Sequence, residues 1–182
     1  MWSASDAWLL VIDPQRIFAS PQSQWGSPMF PAIVDPVRRL ADRFGGRVVV
    51  TRWVAPNPAE GSWEAYLKAW PFADVPADDP LFDVVDELTH LDAQTLTAST
   101  FGKWGTDLAV MTGPTPRLVV TGVSTDCCVI STALAAADAG ATVTVVSDAC
   151  AGSTPENHRS ALDVMALYPP QITIATAAEV LA

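Results

Sequence analysis

The stretch "RLVVTGVSTDCCVISTALAAADAGATVTVVSD", Arg117 to Asp148, decides the fold. It opens with a short β-branched apolar run (117 to 122) and passes through a polar turn into an alanine-rich segment (126 to 139) that stops at Gly140. It resumes as a second β-branched run (141 to 148). Ser124, Thr125 and Asp126 are candidate helix caps, and Gly140 suits the left-handed residue that ends a helix. Strand, helix and strand follow one another here. Two adjacent cysteines, Cys127 and Cys128, sit where the helix begins.

Outward from this unit the same alternation continues. Further apolar runs occur at 8 to 13 ("WLLVID"), 47 to 52 ("RVVVTR"), 93 to 98 ("AQTLTA") and 171 to 176 ("QITIAT"), which brings the expected strands to six. Helices are expected at 31 to 44, 59 to 70, 105 to 112, 126 to 139, 155 to 167 and 177 to 181. Continuous apolar strands separated by helices indicate a parallel sheet covered on both faces: an α/β fold, a three-layer α/β/α doubly wound sandwich. The Pro- and Trp-rich region from Ala55 to Pro80 is the least regular and reads as an excursion near the active edge.

Composition narrows the function. With 182 residues, 49% of them apolar, residues 1–182 are expected to form one domain. The start, "MWSASDAWLLVIDPQ", has no basic leader, and no uncharged apolar run is long enough to span a membrane, so a cytoplasmic protein without a membrane partner is expected. Three cysteines, two of them neighbours, make a disulfide framework improbable. A formal charge of −10 argues against nucleic acid as a partner. Metal-ligand spacings such as H-x-H, C-x-x-C and H-E-x-x-H are absent, as are G-x-G-x-x-G and the P-loop. No metal and no cofactor are expected.

In an open α/β sheet, ligands bind beyond the carboxyl ends of the strands. Asp13 ends the first strand, Arg52 and Trp53 follow the second, Lys103 lies in a Gly-flanked loop after the third, and the cysteine pair follows the fourth. Asp13 suits a general base, or a turn cap before Pro14. A thiol at a helix N-terminus is activated, although small cysteines also pack in alanine-rich interfaces. A helical wheel with Ile130, Leu134 and Ala137 as the buried stripe places Cys127 near that stripe and Cys128 away from it. Lys103 is either a partner for the thiol or a solvated surface lysine. His90 and His158 read as surface residues. Trp25, Trp53, Trp63, Trp70 and Trp104 suggest an aromatic pocket, and Gln15 and Asp126 are candidates to orient it.

The segments "LLVIDPQRIF" and "LVVTGVSTDCCVISTALAAADAGATVTVVSDACAG" resemble the isochorismatase-like cysteine hydrolases across nearly the whole chain, most specifically at G-V-x-T-D-x-C-V. The resemblance implies a six-stranded parallel sheet of Rossmann-like topology and an Asp–Lys–Cys triad that hydrolyses C–N bonds through a thioester. It makes Asp13 the base and Cys128 the nucleophile. It also implies a cis peptide between Val123 and Ser124 that turns backbone N–H groups toward a substrate carbonyl, so Val123, Ser124, Gln15 and Trp53 are the expected substrate and oxyanion contacts. The expected partner is a small molecule, and the expected assembly a homo-oligomer, dimer or tetramer.

Two departures stand out. Read without gaps, the family's lysine position falls on Thr97, and the nearest lysine is Lys103. Either Lys103 reaches back to complete the triad, or the triad is incomplete and the chain is a weakly active or non-catalytic binding module. A phosphoryl acceptor at Asp13 is a third reading, without a second acid beside it for Mg²⁺. The D-x-H that carries zinc in nicotinamidases is replaced by "TRWVAPNPAEGSW", which disfavours a zinc nicotinamidase. True isochorismatases lack the cysteine, so C–N hydrolysis, of an amide, N-carbamoyl or ureido group, is the expected chemistry.

Overall fold

The run AWLLVI forms β1 (Ala7–Ile12), the strand from which the sheet grows in both directions in the computed structural model, which describes residues 7–182. It is followed by the single-turn α1 (Arg16–Ala19), α2 (Phe30–Phe44), β2 (Val48–Trp53), α3 (Ser62–Ala69), β3 (Gln94–Ala98), α4 (Thr106–Thr112) and β4 (Arg117–Val123). A π turn (Thr125–Val129) then runs into α5 (Ile130–Asp138), followed by β5 (Thr142–Ala151), α6 (Pro155–Met165), β6 (Ile172–Ala175) and α7 (Ala177–Leu181). All six strands and the six longer helices lie where the sequence pattern puts them. The one-turn α1 carries too little periodicity to read in advance.

Strand order is β3-β2-β1-β4-β5-β6, and every pairing is parallel. Alternate residues of each strand feed two cores. Leu9, Val11, Val48, Val50 and Val119 pack with α2 and α7 on one face; Leu10, Ile12, Val49, Leu118, Val120 and Val143 pack with α4, α5 and α6 on the other. Burial on both faces explains why these strands read as unbroken apolar runs rather than as alternating ones.

The order reverses between β1 and β4. Crossovers leave to opposite sides there, opening a crevice beyond the carboxyl ends of the two strands. The strands approach closely: Ile12 is in register with Gly122, whose φ is +109°, and a Cβ on Gly122 would lie 2.2 Å from the Ile12 carbonyl oxygen. Only glycine fits. Asp13 and Ser124, just past this register, therefore lie at the carboxyl ends of the two strands, beneath the point where the crevice opens. Among the described residues, no helix is long and apolar enough to cross a membrane.

Candidate active site

Asp13 directly follows β1, with φ at +43°, a left-handed conformation that an aspartate tolerates better than most residues and that clusters at functional sites. Its side chain is fully buried. Thr51 of β2 fixes it twice, accepting from the Asp13 backbone N–H at 3.0 Å and donating its hydroxyl to Oδ1 at 2.6 Å.

The other carboxylate oxygen faces Lys103. Lys103 Nζ lies 2.9 Å from Asp13 Oδ2, off the direction of a hydrogen bond, so Oδ2 keeps a lone pair without a donor. The ammonium donates instead to the carbonyls of Thr100, at 2.6 Å, and Phe101, at 2.9 Å. The loop after β3 thus folds back to bring in the cation, whereas Thr97 stays on β3, opposite Arg52, and is exposed. Of the two expectations for the missing lysine, the geometry matches the one in which Lys103 reaches back, and it is not a surface lysine.

The cysteine pair sits on the π turn, and here the helical-wheel expectation is overturned. Cys128 is 1% exposed, and Cys127 is the more accessible of the two. The buried face of the helix runs through Val129, Thr132, Ala133, Ala136 and Ala137, while Ile130 and Leu134 are only half-buried. The expected stripe was therefore drawn through the wrong side chains: Cys128 lies four residues before Thr132 and eight before Ala136, on the face that is buried. Both thiols nevertheless line the crevice. Ser124 precedes the turn and lines it too, making no side-chain capping bond, and the peptide from buried Val123 to Ser124 is cis.

One hydroxyl joins these parts. Thr132 Oγ1 accepts from the Lys103 backbone N–H at 2.9 Å and donates to the Cys128 carbonyl at 2.6 Å. On the far side Asp126 accepts from the backbone N–H and hydroxyl of Ser153, both at 2.7 Å, and Thr125 meets His158 Nδ1 at 2.8 Å. The turn that carries the thiols is therefore clamped from two directions. His158 belongs to this clamp rather than to the open surface, and burial lowers its pKa. His90 is exposed, beside Arg38.

The two thiols shift each other in opposite directions. A hydrogen bond from Cys128 lowers the pKa of Cys127 despite burial, whereas Cys128, as the donor and fully buried, is raised well above the ordinary thiol range; in both, Asp13 raises and Lys103 lowers. Cys128 thus rests as a neutral thiol. Burial, and then the neighbouring cysteines, raise the pKa of Tyr66 of α3. Cys150 is pushed far up by burial and donates weakly to the Val120 carbonyl, an inert packing thiol.

The crevice has a volume of about 220 Å³ and is lined by Phe18, Trp25, Tyr66 and Phe101 as well as by Ser124 and the thiols. A larger concavity, about 460 Å³, lies near Ala7, Arg117 and Thr142 toward the amino ends of the strands; it has no cysteine in its wall, so size does not mark the reactive edge.

Two expected contacts are placed elsewhere. Gln15 is fully buried: its amide donates to the carbonyls of Trp53, at 2.8 Å, and Phe82, at 2.7 Å, and accepts from the Trp53 N–H at 2.7 Å. That exhausts it as a structural tie. Trp53 is also fully buried, ringed by Phe18, Trp25, Trp63, Phe82 and Phe101, and reaches the crevice only through them. Of the tryptophans singled out in the sequence, Trp25 alone lines the crevice, and Trp104 packs on the opposite core.

Thr51, Thr132 and Tyr66 were not singled out in the sequence. A lone threonine inside the apolar "VVVTRW" and a threonine four residues past Cys128 were the available signals for the first two. The donor set after β2 does not fit a metal ion: Trp53, Val54 and Ala55 offer no ligating side chain, and among the described residues no three His, Cys, Asp or Glu side chains gather where they could hold one.

Comparison with known proteins agrees with this architecture. No curated protein sequence matches the chain. Among solved structures, a cysteine hydrolase from Pseudomonas syringae pv. phaseolicola 1448A superposes with a TM-score of 0.80 at 20% identity, covering 100% of this chain and 94% of that one. The N-carbamoylsarcosine amidase of Thermoplasma acidophilum gives 0.74 at 21% identity, over 94% and 96% of the two chains. The pyrazinamidase of Pyrococcus horikoshii, in complex with zinc, gives 0.71 at 25% identity, over 94% and 99%. The isochorismatase domain model matches residues 7–179, and with this coverage the chain belongs to the isochorismatase family of hydrolases.

Proposed function

We propose that the protein is a cysteine hydrolase that cleaves the C–N bond of a small amide, N-carbamoyl or ureido compound through an acyl-enzyme at Cys128. The observation that carries this reading is the buried Asp13–Lys103 ion pair, close enough to Cys128 for both charges to act on its thiol, while Cys128 itself lines the crevice. Similarity to proteins named as a pyrazinamidase and an N-carbamoylsarcosine amidase supports the type of bond.

In this mechanism the unpartnered lone pair of Asp13 Oδ2 accepts the Cys128 proton as sulfur attacks the carbonyl carbon, and Lys103 balances the charge on the carboxylate and on the developing thiolate. Backbone N–H groups at Ser124 and Cys128 hold the oxyanion. Collapse breaks the C–N bond, and the proton held on Asp13 passes to the leaving nitrogen, releasing ammonia or an amine. Water then gives its proton to Asp13 and adds to the thioester. Sulfur leaves, recovers that proton, and the acid is released.

The ground for a binding module was a triad without a cation; with Lys103 at Asp13, Thr97 no longer argues for it. The test is ammonia release from a panel of primary amides, N-carbamoyl compounds and ureas, with intact-mass detection of the acyl-enzyme. Turnover that disappears in Cys128→Ala, with an adduct mapped to Cys128 in the wild type, is the expected result. Full activity in Cys128→Ala, or no ammonia together with an ordinary rate of reaction with iodoacetamide, would overturn it.

A further inference from the structure

The charges in the crevice wall are lopsided. Besides the two thiols and Tyr66, Asp126 is the one titratable side chain that lines it among the described residues, and no Lys, Arg or His does. Asp126 is held by neutral donors of Ser153 and has no ion-pair partner among those residues, so its negative charge is uncompensated. Lys103 does not offset it, because its charge is taken up by Asp13. An anionic ligand would meet no counter-charge here and would approach a chain of net charge −10.

Aromatic rings supply much of the rest of the lining. Trp25, Tyr66 and Phe101 are mutually inclined, with centroids 5.8 Å apart for Trp25–Tyr66 at 46°, 5.6 Å for Tyr66–Phe101 at 71° and 6.4 Å for Trp25–Phe101 at 76°. The three rings meet at steep angles rather than as a stack, and each of them lines the crevice. The face of an aromatic ring is its negative pole, and a cation within about 6 Å of several such faces is held by all of them. The Tyr66 hydroxyl makes no hydrogen bond among the described residues and adds an acceptor at the rim.

We propose that the crevice selects compact amides that carry a positive charge, as an alkylated ammonium or a pyridinium. The cationic group sits among Trp25, Tyr66 and Phe101 near Asp126, and the reacting carbonyl lies at Cys128. The position of the carbonyl rests on the function proposed above; the cation site does not. A volume of about 220 Å³ falls below the roughly 300 Å³ at which drug-sized pockets begin, so one ring or a short chain fills it.

The probe pair is choline and 3,3-dimethylbutan-1-ol, which share a shape and differ by a nitrogen cation against a neutral carbon. Titrated into the full-length protein and followed by tryptophan fluorescence, choline is expected to bind about tenfold more tightly. The preference is expected to fall severalfold in Asp126→Asn and in Tyr66→Leu and to persist in Tyr66→Phe. Equal or tighter binding of the neutral alcohol, or no binding of either probe, would overturn the proposal, and the wild-type comparison decides even if a variant fails to fold. A kinetic arm compares 1-methylnicotinamide, 3-methylbenzamide and 3-carbamoylbenzoate. A choline preference with no amide turnover would count against the hydrolase reading alone, whereas turnover that favours the anionic amide would count against the cation site alone.

Discussion

Lys103 Nζ and Asp13 Oδ2, ninety positions apart in the chain, lie 2.9 Å apart with neither side chain reaching solvent. A buried pair is asymmetric in its energetics: removing one partner strands the other charge, at a cost of about 3–5 kcal/mol, while replacing both is far milder. Lys103→Met is therefore expected to lower the urea midpoint sharply and to reduce turnover by about 10²–10⁴-fold. The double variant Lys103→Met/Asp13→Asn is expected to recover much of the stability and none of the activity. Full recovery of both would show the pair to be structural.

The thiols are expected to respond to pH through each other. Because the hydrogen bond from Cys128 is the largest influence lowering Cys127, Cys128→Ala should move the alkylation pKa of Cys127 upward. Cys127→Ala should move that of Cys128 downward, since the same bond is the largest influence raising it. Rates of iodoacetamide labelling measured from pH 5 to 10 read both shifts, and movement in the opposite directions would refute this coupling.

Thr132 ties the loop of Lys103 to the helix that carries Cys128, and Thr132→Val removes the tie at nearly constant volume. It leaves the Lys103 N–H without an acceptor, which costs about 1–3 kcal/mol. We expect kcat to fall with KM little changed and Thr132→Ser to restore it. Loss of stability with unchanged kcat would make Thr132 a structural residue only.

Gln15→Leu removes the Gln15 partner of the Trp53 N–H and of the Trp53 carbonyl, at about 1–3 kcal/mol for each group left unpaired, and leaves the Phe82 carbonyl with Arg52 as its remaining donor. The expected outcome is a markedly lower melting temperature with substrate preference retained in the folded fraction. Altered preference at unchanged stability would return Gln15 to the binding site.

The strands, the longer helices and the edge that carries Asp13, Lys103 and Cys128 were legible because each rests on local pattern: β-branched runs, helix-length spacing, a glycine stop. What was hidden depends on the third dimension. The cysteine phase escapes a helical wheel because the larger Ile130 and Leu134 draw the stripe to themselves, whereas the buried face is made of small side chains such as Thr132 and Ala136. Gln15 and Trp53 sit at the right edge but are claimed by the Phe82 carbonyl and by neighbouring rings, groups remote in sequence. Lys103 was ambiguous because how far a loop folds back is not a periodic property.

The parallel neighbour of the first strand on one side is the fourth, which begins more than a hundred residues later. During synthesis, the early strands and α2 emerge long before the partner that closes this side, and pairings of such long range form late. The acid is made first, the ammonium later and the thiols after that. Asp13, Lys103 and Cys128 therefore meet only when β4 takes its place beside β1, and no shorter stretch of the growing chain holds all three together.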